Sequence, residues 1–268
     1  MNAREIVQSL LVRLDDPALI DLSVIPWAAP VISFGDLSKA RVATLGLNPS
    51  NREFVDVSNR ELMGSERRFQ TLNSLGLSKW SQAKPEHIDQ IVDACFGYFD
   101  GNPYDGWFRA LEKLFLDAGV SYYGMFSDAC HLDLVPFATS TKWGALTTRQ
   151  KAQLLSLSGD ALGLLLRDSS IEVLVLNGQA VIDNLQQVSN RSFKKEVVAE
   201  WILPRRSSDG VLGYAYTGKI NQVGGVDLGR EVSVLGYNHN IQSSFGVTSQ
   251  VKMAIQKWIS HHTNEVFC

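Results

Sequence analysis

The chain has 268 residues, 45% of them apolar, which is enough to bury a sizeable core in one large domain or two small ones. No apolar run reaches the length of a membrane span, and the first residues lack a basic region followed by an apolar block. Neither a membrane partner nor a secretory signal is therefore expected. The net charge of −3 gives no global reason for an anionic partner, so any nucleic-acid surface has to be local.

Taken in chain order, "MNAREIVQSLLVRLDDPAL" predicts an amphipathic helix over 1–16, with Ile6, Leu10 and Leu14 on one face. "RVATLGL" (41–47) reads as a buried strand and runs straight into Gly46-Leu47-Asn48-Pro49-Ser50. "GWFRALEKLFLDAG" has helical period, with Phe108, Leu111 and Phe115 on one face and Asn102-Pro103 as its start signal. A second strand is predicted over "SYYGMFSDAC" (121–130), a third over "IEVLVLNG" (171–178) and a fourth over "EVSVLGY" (231–237). Helical segments follow each of the last three: "TTRQKAQLLSLSGDALGLLLRD", "GQAVIDNLQQV" and "GVTSQVKMAIQKWISHH".

One stretch breaks the alternation. "EVVAEWILPRRSSDGVLGYAYTG" (196–218) reads as a hairpin about a turn-like "SSDG", inserted before the last strand. The predicted fold is α/β: a three-layer sandwich with a four-stranded parallel sheet flanked by helices, plus that hairpin. No repeat or linker divides it, so a single domain over 1–268 is expected. Cys95, Cys130 and Cys268 are scattered and form no CxxC pair. That argues against a zinc site, an iron–sulfur cluster and a disulfide framework, and fits a reducing cytoplasm; no metal and no cofactor are expected.

Three of the four strand ends carry polar residues. "GLNPS" follows the first. "DACHLDLVPFATSTKW" brings Asp128, His131, Asp133 and Thr139 close together, and "GYNHNIQSSFGV" brings Asn238, His239 and Gln242 ahead of Ser243 and Ser244. In a doubly wound sheet such loops converge on one rim, where ligands bind.

At these residues the chain resembles the uracil-DNA glycosylase superfamily. That family pairs a Gly-x-Asn-Pro loop after the first strand with a His-containing, Ser-rich loop after the last. "GLNPS" matches the first motif and "NHNIQSS" the second, more loosely, with "HLDLVPFAT" as the base-reading segment. The resemblance implies a monofunctional DNA glycosylase that hydrolyses the N-glycosidic bond of an abnormal base, with DNA as partner, no obligatory protein partner and a monomeric state.

In that reading Asn48 positions the water and His239 stabilises the leaving base. Asp133 and His131 contact the base, Phe54 or Phe69 stacks on it, and Pro49, Ser243 and Ser244 meet the DNA backbone. Ile241 is the wedge that holds the base out of the duplex. The base-stacking aromatic expected about a dozen residues after the Asn-Pro motif falls on Arg60-Glu61-Leu62, which is a departure.

Plainer readings stand beside these. Asn48 before proline suits a simple turn, His239 suits a structural hydrogen bond, and Asp133 suits a helix cap. Ile241 suits the core. Two positions bear on substrate. Ser50 stands where the uracil-faithful branch carries a tyrosine that blocks the C5 side of the base. Asp133 stands in place of an asparagine, and an acceptor pairs with the N4 donor of cytosine rather than with the O4 of uracil. Together they favour a C5-modified cytosine, such as the glucosylated hydroxymethylcytosine of phage DNA that one branch attacks in defence. The alternatives are plain uracil in base-excision repair, hydrolysis or transfer on a free nucleoside or nucleotide, and a catalytically silent nucleic-acid-binding module on the same fold.

Overall fold

A computed structural model describes residues 2–101, 105–124, 127–205 and 210–268. The Asn102-Pro103 start signal and most of the "SSDG" turn lie outside the described residues. Six strands form one mixed sheet: β1 (Val42–Gly46), β2 (Ala129–Asp133), β3 (Val173–Asn177), β4 (Lys194–Val197), β5 (Tyr214–Val223) and β6 (Val226–Tyr237), in the order β2-β1-β3-β6-β5-β4. The expectation of a four-stranded parallel sheet is corrected accordingly. β2, β1, β3 and β6 are mutually parallel, while β5 and β4 extend the sheet antiparallel at one edge.

β2 and β3 are buried along their whole length and β1 along all but its last residue, which is why these strands read as unbroken apolar runs. The second strand is displaced from its predicted place. Met125 and Phe126 lie outside the described residues; the Asp128 carboxylate accepts from the Ser121 N–H at 3.0 Å, and the strand begins only at Ala129. The predicted hairpin is also redrawn. Its two arms do pair, Lys194–Val197 against Tyr214–Thr217, but β5 then runs on to Val223 and doubles back into β6. The turn is Gly224-Gly225, both at positive φ (56° and 81°), as a two-residue hairpin turn with right-handed twist requires.

The helices are α1 (Ala3–Leu14), α2 (Ala18–Asp21), α3 (Pro85–Phe96), α4 (Asp105–Glu112), α5 (Thr148–Arg167), α6 (Gln179–Ser189) and α7 (Ser249–Phe267). α1 opens on a capping box, Asn2 Oδ1 accepting from the Glu5 N–H and the Glu5 carboxylate from the Asn2 N–H. Thr147 and Gln150 do the same for α5. α1 packs on α3 and α5, α5 reaches β5 and β6, α6 rests on β3 and β5, and α7 on β3 and β6, so helices flank the sheet. No helix among the described residues is long and apolar enough to cross a membrane.

Candidate active site

The strand order places a topological switch between β1 and β3, whose neighbours run to opposite sides, and a crevice forms at the C-terminal ends there. A cavity of about 450 Å³ occupies this place. Its walls come from the end of β1 with Asn48, Pro49 and Ser50, from His131 and Asp133 on β2, from Asn177 closing β3, and from Asn240 and Ser243 after β6. Trp107 and Phe108 of α4, Phe34 and Trp143 add an aromatic lining, and Glu53 and Lys142 complete it.

The Asn48 amide is clamped by its nitrogen. Nδ2 donates to Thr139 Oγ1 at 2.9 Å, to the Pro49 carbonyl at 3.2 Å and to the Phe137 carbonyl at 3.3 Å. Two of these partners can only accept, and Thr139 spends its own proton on the Thr141 carbonyl, so the amide cannot be the other way round. Asn48 Oδ1 is left without a protein partner among the described residues, as an acceptor on the cavity wall. Ser50 has a local duty as well: its Oγ accepts from the Arg52 N–H at 3.2 Å and caps the single 3-10 turn 51–53, which returns the chain to the cavity at Glu53.

His131 and Asp133 lie on the same face of β2, two residues apart, opposite Thr44 and Gly46 of β1. A Cβ at Gly46 would come within 2.3 Å of Asp133 Oδ1 and 2.9 Å of His131 Nε2, so only glycine lets the two side chains lean across the end of β1. Asp133 sits in the strand and caps no helix; α5 takes its cap from Thr147.

The state of His131 follows from its neighbours. Tyr122 OH is 2.5 Å from Thr44 Oγ1, which is 2.7 Å from His131 Nδ1. Burial holds the Tyr122 phenol well above its ordinary pKa, so it keeps its proton, and Thr44 is its one partner among the described residues. Tyr122 therefore donates to Thr44, Thr44 donates to Nδ1, and the imidazole proton sits on Nε2. Nε2 lies 3.6 Å from Asp133 Oδ1, beyond hydrogen-bond reach, which leaves this N–H available to a ligand.

The other predicted residues fall elsewhere. His239 is buried outside the cavity, with Nε2 2.9 Å from the Trp201 carbonyl, which can only accept. Burial lowers its pKa, that carbonyl opposes the shift, and Arg205 adds to it, so His239 is a neutral structural donor. Ile241 is a core residue, and its N–H donates to Asn177 Oδ1 at 3.2 Å. Phe54 and Phe69 are buried against each other at 5.7 Å and belong to the core cluster with Trp27, Phe34 and Tyr98. Ser244 lines no part of the cavity, and Ser243 and Ser244 lie in a turn upstream of α7, whose cap is Thr248. Asp128 is at the opposite end of β2 from the rim. Asn238 ties the rim to β5 by accepting from the Tyr214 N–H at 2.8 Å.

Three residues were not visible as site residues in the sequence. Trp107 stands edge-on to the His131 ring at 5.3 Å. Phe245 is 84% exposed two residues beyond Ser243, with Arg205 donating to its carbonyl at 2.9 Å and lying 5.2 Å from its ring. Glu53 is buried in the cavity wall. Among the described residues no three His, Cys, Asp or Glu side chains are grouped as a metal site requires. The chain matches no protein-family model, and no curated protein matches it significantly.

Proposed function

We propose that the protein is a monofunctional DNA glycosylase that flips a C5-modified cytosine into the cavity and hydrolyses its N-glycosidic bond. The observation that carries this reading is the set of polar groups left uncommitted on the cavity wall. Asn177 and Asn240 spend their amides on the loop after β6. Asn48 Oδ1, the Asp133 carboxylate, the His131 Nε2–H, one oxygen of Glu53 and the Lys142 ammonium remain among the described residues, and the first three carry the reading. Asn48 Oδ1 suits a water below the sugar, and an oxocarbenium-like sugar first requires that its nucleophile be held in position. The His131 N–H suits the negative charge that grows on the departing base, and a preorganised donor of this kind is worth about 2.7–4 kcal/mol.

Asp133 supplies an acceptor where a cytosine offers its N4 donor. Ser50 leaves the C5 side open, and the volume lies within the ~300–1,000 Å³ usual for small-molecule sites. Trp107, which lines the cavity beside His131, is assigned to stack on the base. Phe245, rather than Ile241, is the exposed apolar residue on the last loop that can enter a duplex and hold the base out.

The test is excision itself. DNA carrying glucosylated hydroxymethylcytosine, hydroxymethylcytosine, cytosine or uracil is incubated with the protein, and abasic sites are read as alkali-labile breaks. Breaks are expected at the modified cytosines, with Asn48→Ala reducing them at least 100-fold while binding the same DNA as wild type. Equal losses of binding and turnover would remove Asn48 from the chemistry, and breaks at uracil alone would overturn the substrate.

A further inference from the structure

We infer that Glu53 is the group that takes the proton from the water held by Asn48; this rests on the glycosylase reading above. An amide can orient a water but cannot accept its proton, so Asn48 leaves half of the task undone. Glu53 lines the same cavity, five residues on, where the turn capped by Ser50 brings it back.

Its carboxylate is held by one oxygen. Oε2 accepts from Tyr98 OH at 3.1 Å and from Arg68 Nη1 at 3.4 Å. Oε1 has no protein partner among the described residues. The side chain is fixed in place and keeps one acceptor site open, as a general base requires.

The ionisable groups around it are Arg68 and Tyr98 and, in the lining of the same cavity, Asp133 and His131 on β2 and Lys142. Burial pushes the Glu53 carboxyl up to about 7, with the Asp133 charge adding to the rise and Arg68 and Tyr98 opposing it. A base with that affinity is half ionised near neutral pH and strong enough to receive a proton there.

The step balances without a co-reactant. The water oxygen attacks C1′ of the deoxyribose as the C1′–N1 bond breaks, and that bond's electron pair leaves with the base. One water proton goes to Glu53 Oε1 and the other stays on the new C1′ hydroxyl. The base anion, steadied by His131, takes up a proton from solvent, and Glu53 returns its own to solvent.

The experiment compares single-turnover excision by wild type, Glu53→Gln and Arg68→Met between pH 5.5 and 8.5. Wild-type rate should rise with pH through about 7, where the carboxylate forms. Glu53→Gln should lose about 10²–10⁴-fold at pH 8 and show no such limb, with DNA binding unchanged. Arg68→Met should move the limb to higher pH, because it removes the cation that favours the carboxylate. A purely structural Glu53 would not produce that movement, and the measurement holds even if Glu53→Gln folds poorly. A wild type that excises while Glu53→Gln stays within about 3-fold, or while Arg68→Met leaves the limb in place, overturns the inference and spares the glycosylase. A wild type that removes no base overturns both.

Discussion

Two histidines compete for one role, and their surroundings separate them. His239 has its Nε2–H committed to a carbonyl away from the cavity, whereas His131 has its tautomer set by Tyr122 and Thr44 and its Nε2–H uncommitted. His131→Ala is therefore expected to slow excision by about 10²–10³-fold, the usual cost of losing one such donor. The loss should be larger for bases that leave poorly than for those that leave easily, since the donor acts on leaving-group charge. His239→Ala should lower the melting temperature, because it strands the buried Trp201 carbonyl, and should change turnover of the folded protein little. Rates and melting curves for both variants across bases of different acidity check this. A larger rate loss at His239 than at His131 would return the donor role to the last loop.

In the proposed glycosylase the loop after β6 contributes through its tip. Its base is fastened by Asn177, which accepts from the Ile241 N–H, and by the Asn240 side chain, which accepts from the Gln242 and Ser243 N–H groups at 3.0 and 2.9 Å. Phe245 projects beyond that fastened turn. Phe245→Ala is expected to cut excision from duplex DNA about 10-fold or more, and excision from single strands much less, because only the duplex requires a stack to be held open. Matched duplex and single-strand rates decide it; equal losses on both would make Phe245 a general contact. The elements differ in how legible they were in the sequence. β1, β3 and the parallel end of β6 could be read because buried parallel strands are continuous apolar runs. β2 was misplaced because "SYYGMFSDAC" has strand-like composition, whereas the Ser121 N–H is taken by the Asp128 side chain and, among its described residues, only Ala129 and Cys130 pair with β1. The β5–β6 hairpin was hidden because its outer half alternates with exposed polar residues, although Val223-Gly224-Gly225-Val226 carried the turn signal. Asn48, His131 and Asp133 were legible because they lie within a few residues of strand ends. Glu53 and Trp107 were not, since a short turn and a helix distant in sequence bring them in, and no local pattern records that meeting.

At the scale of the whole molecule, the order β2-β1-β3-β6 fixes where chemistry can occur: the strands' C-terminal ends meet around one cavity, and the polar residues of three connections gather there. With a net charge of −3, the DNA binding proposed above calls for a local surface rather than the molecule's overall field. The most direct test of hydrolysis in this cavity is a reaction run in ¹⁸O-labelled water. DNA containing glucosylated hydroxymethylcytosine is treated with wild type or Asn48→Ala, and the released small molecule and the abasic strand are weighed by mass spectrometry. An intact, unlabelled modified base and one ¹⁸O in each abasic sugar are expected for wild type, and neither for Asn48→Ala. Label in the released molecule, or identical release by both proteins, would contradict hydrolysis in this cavity.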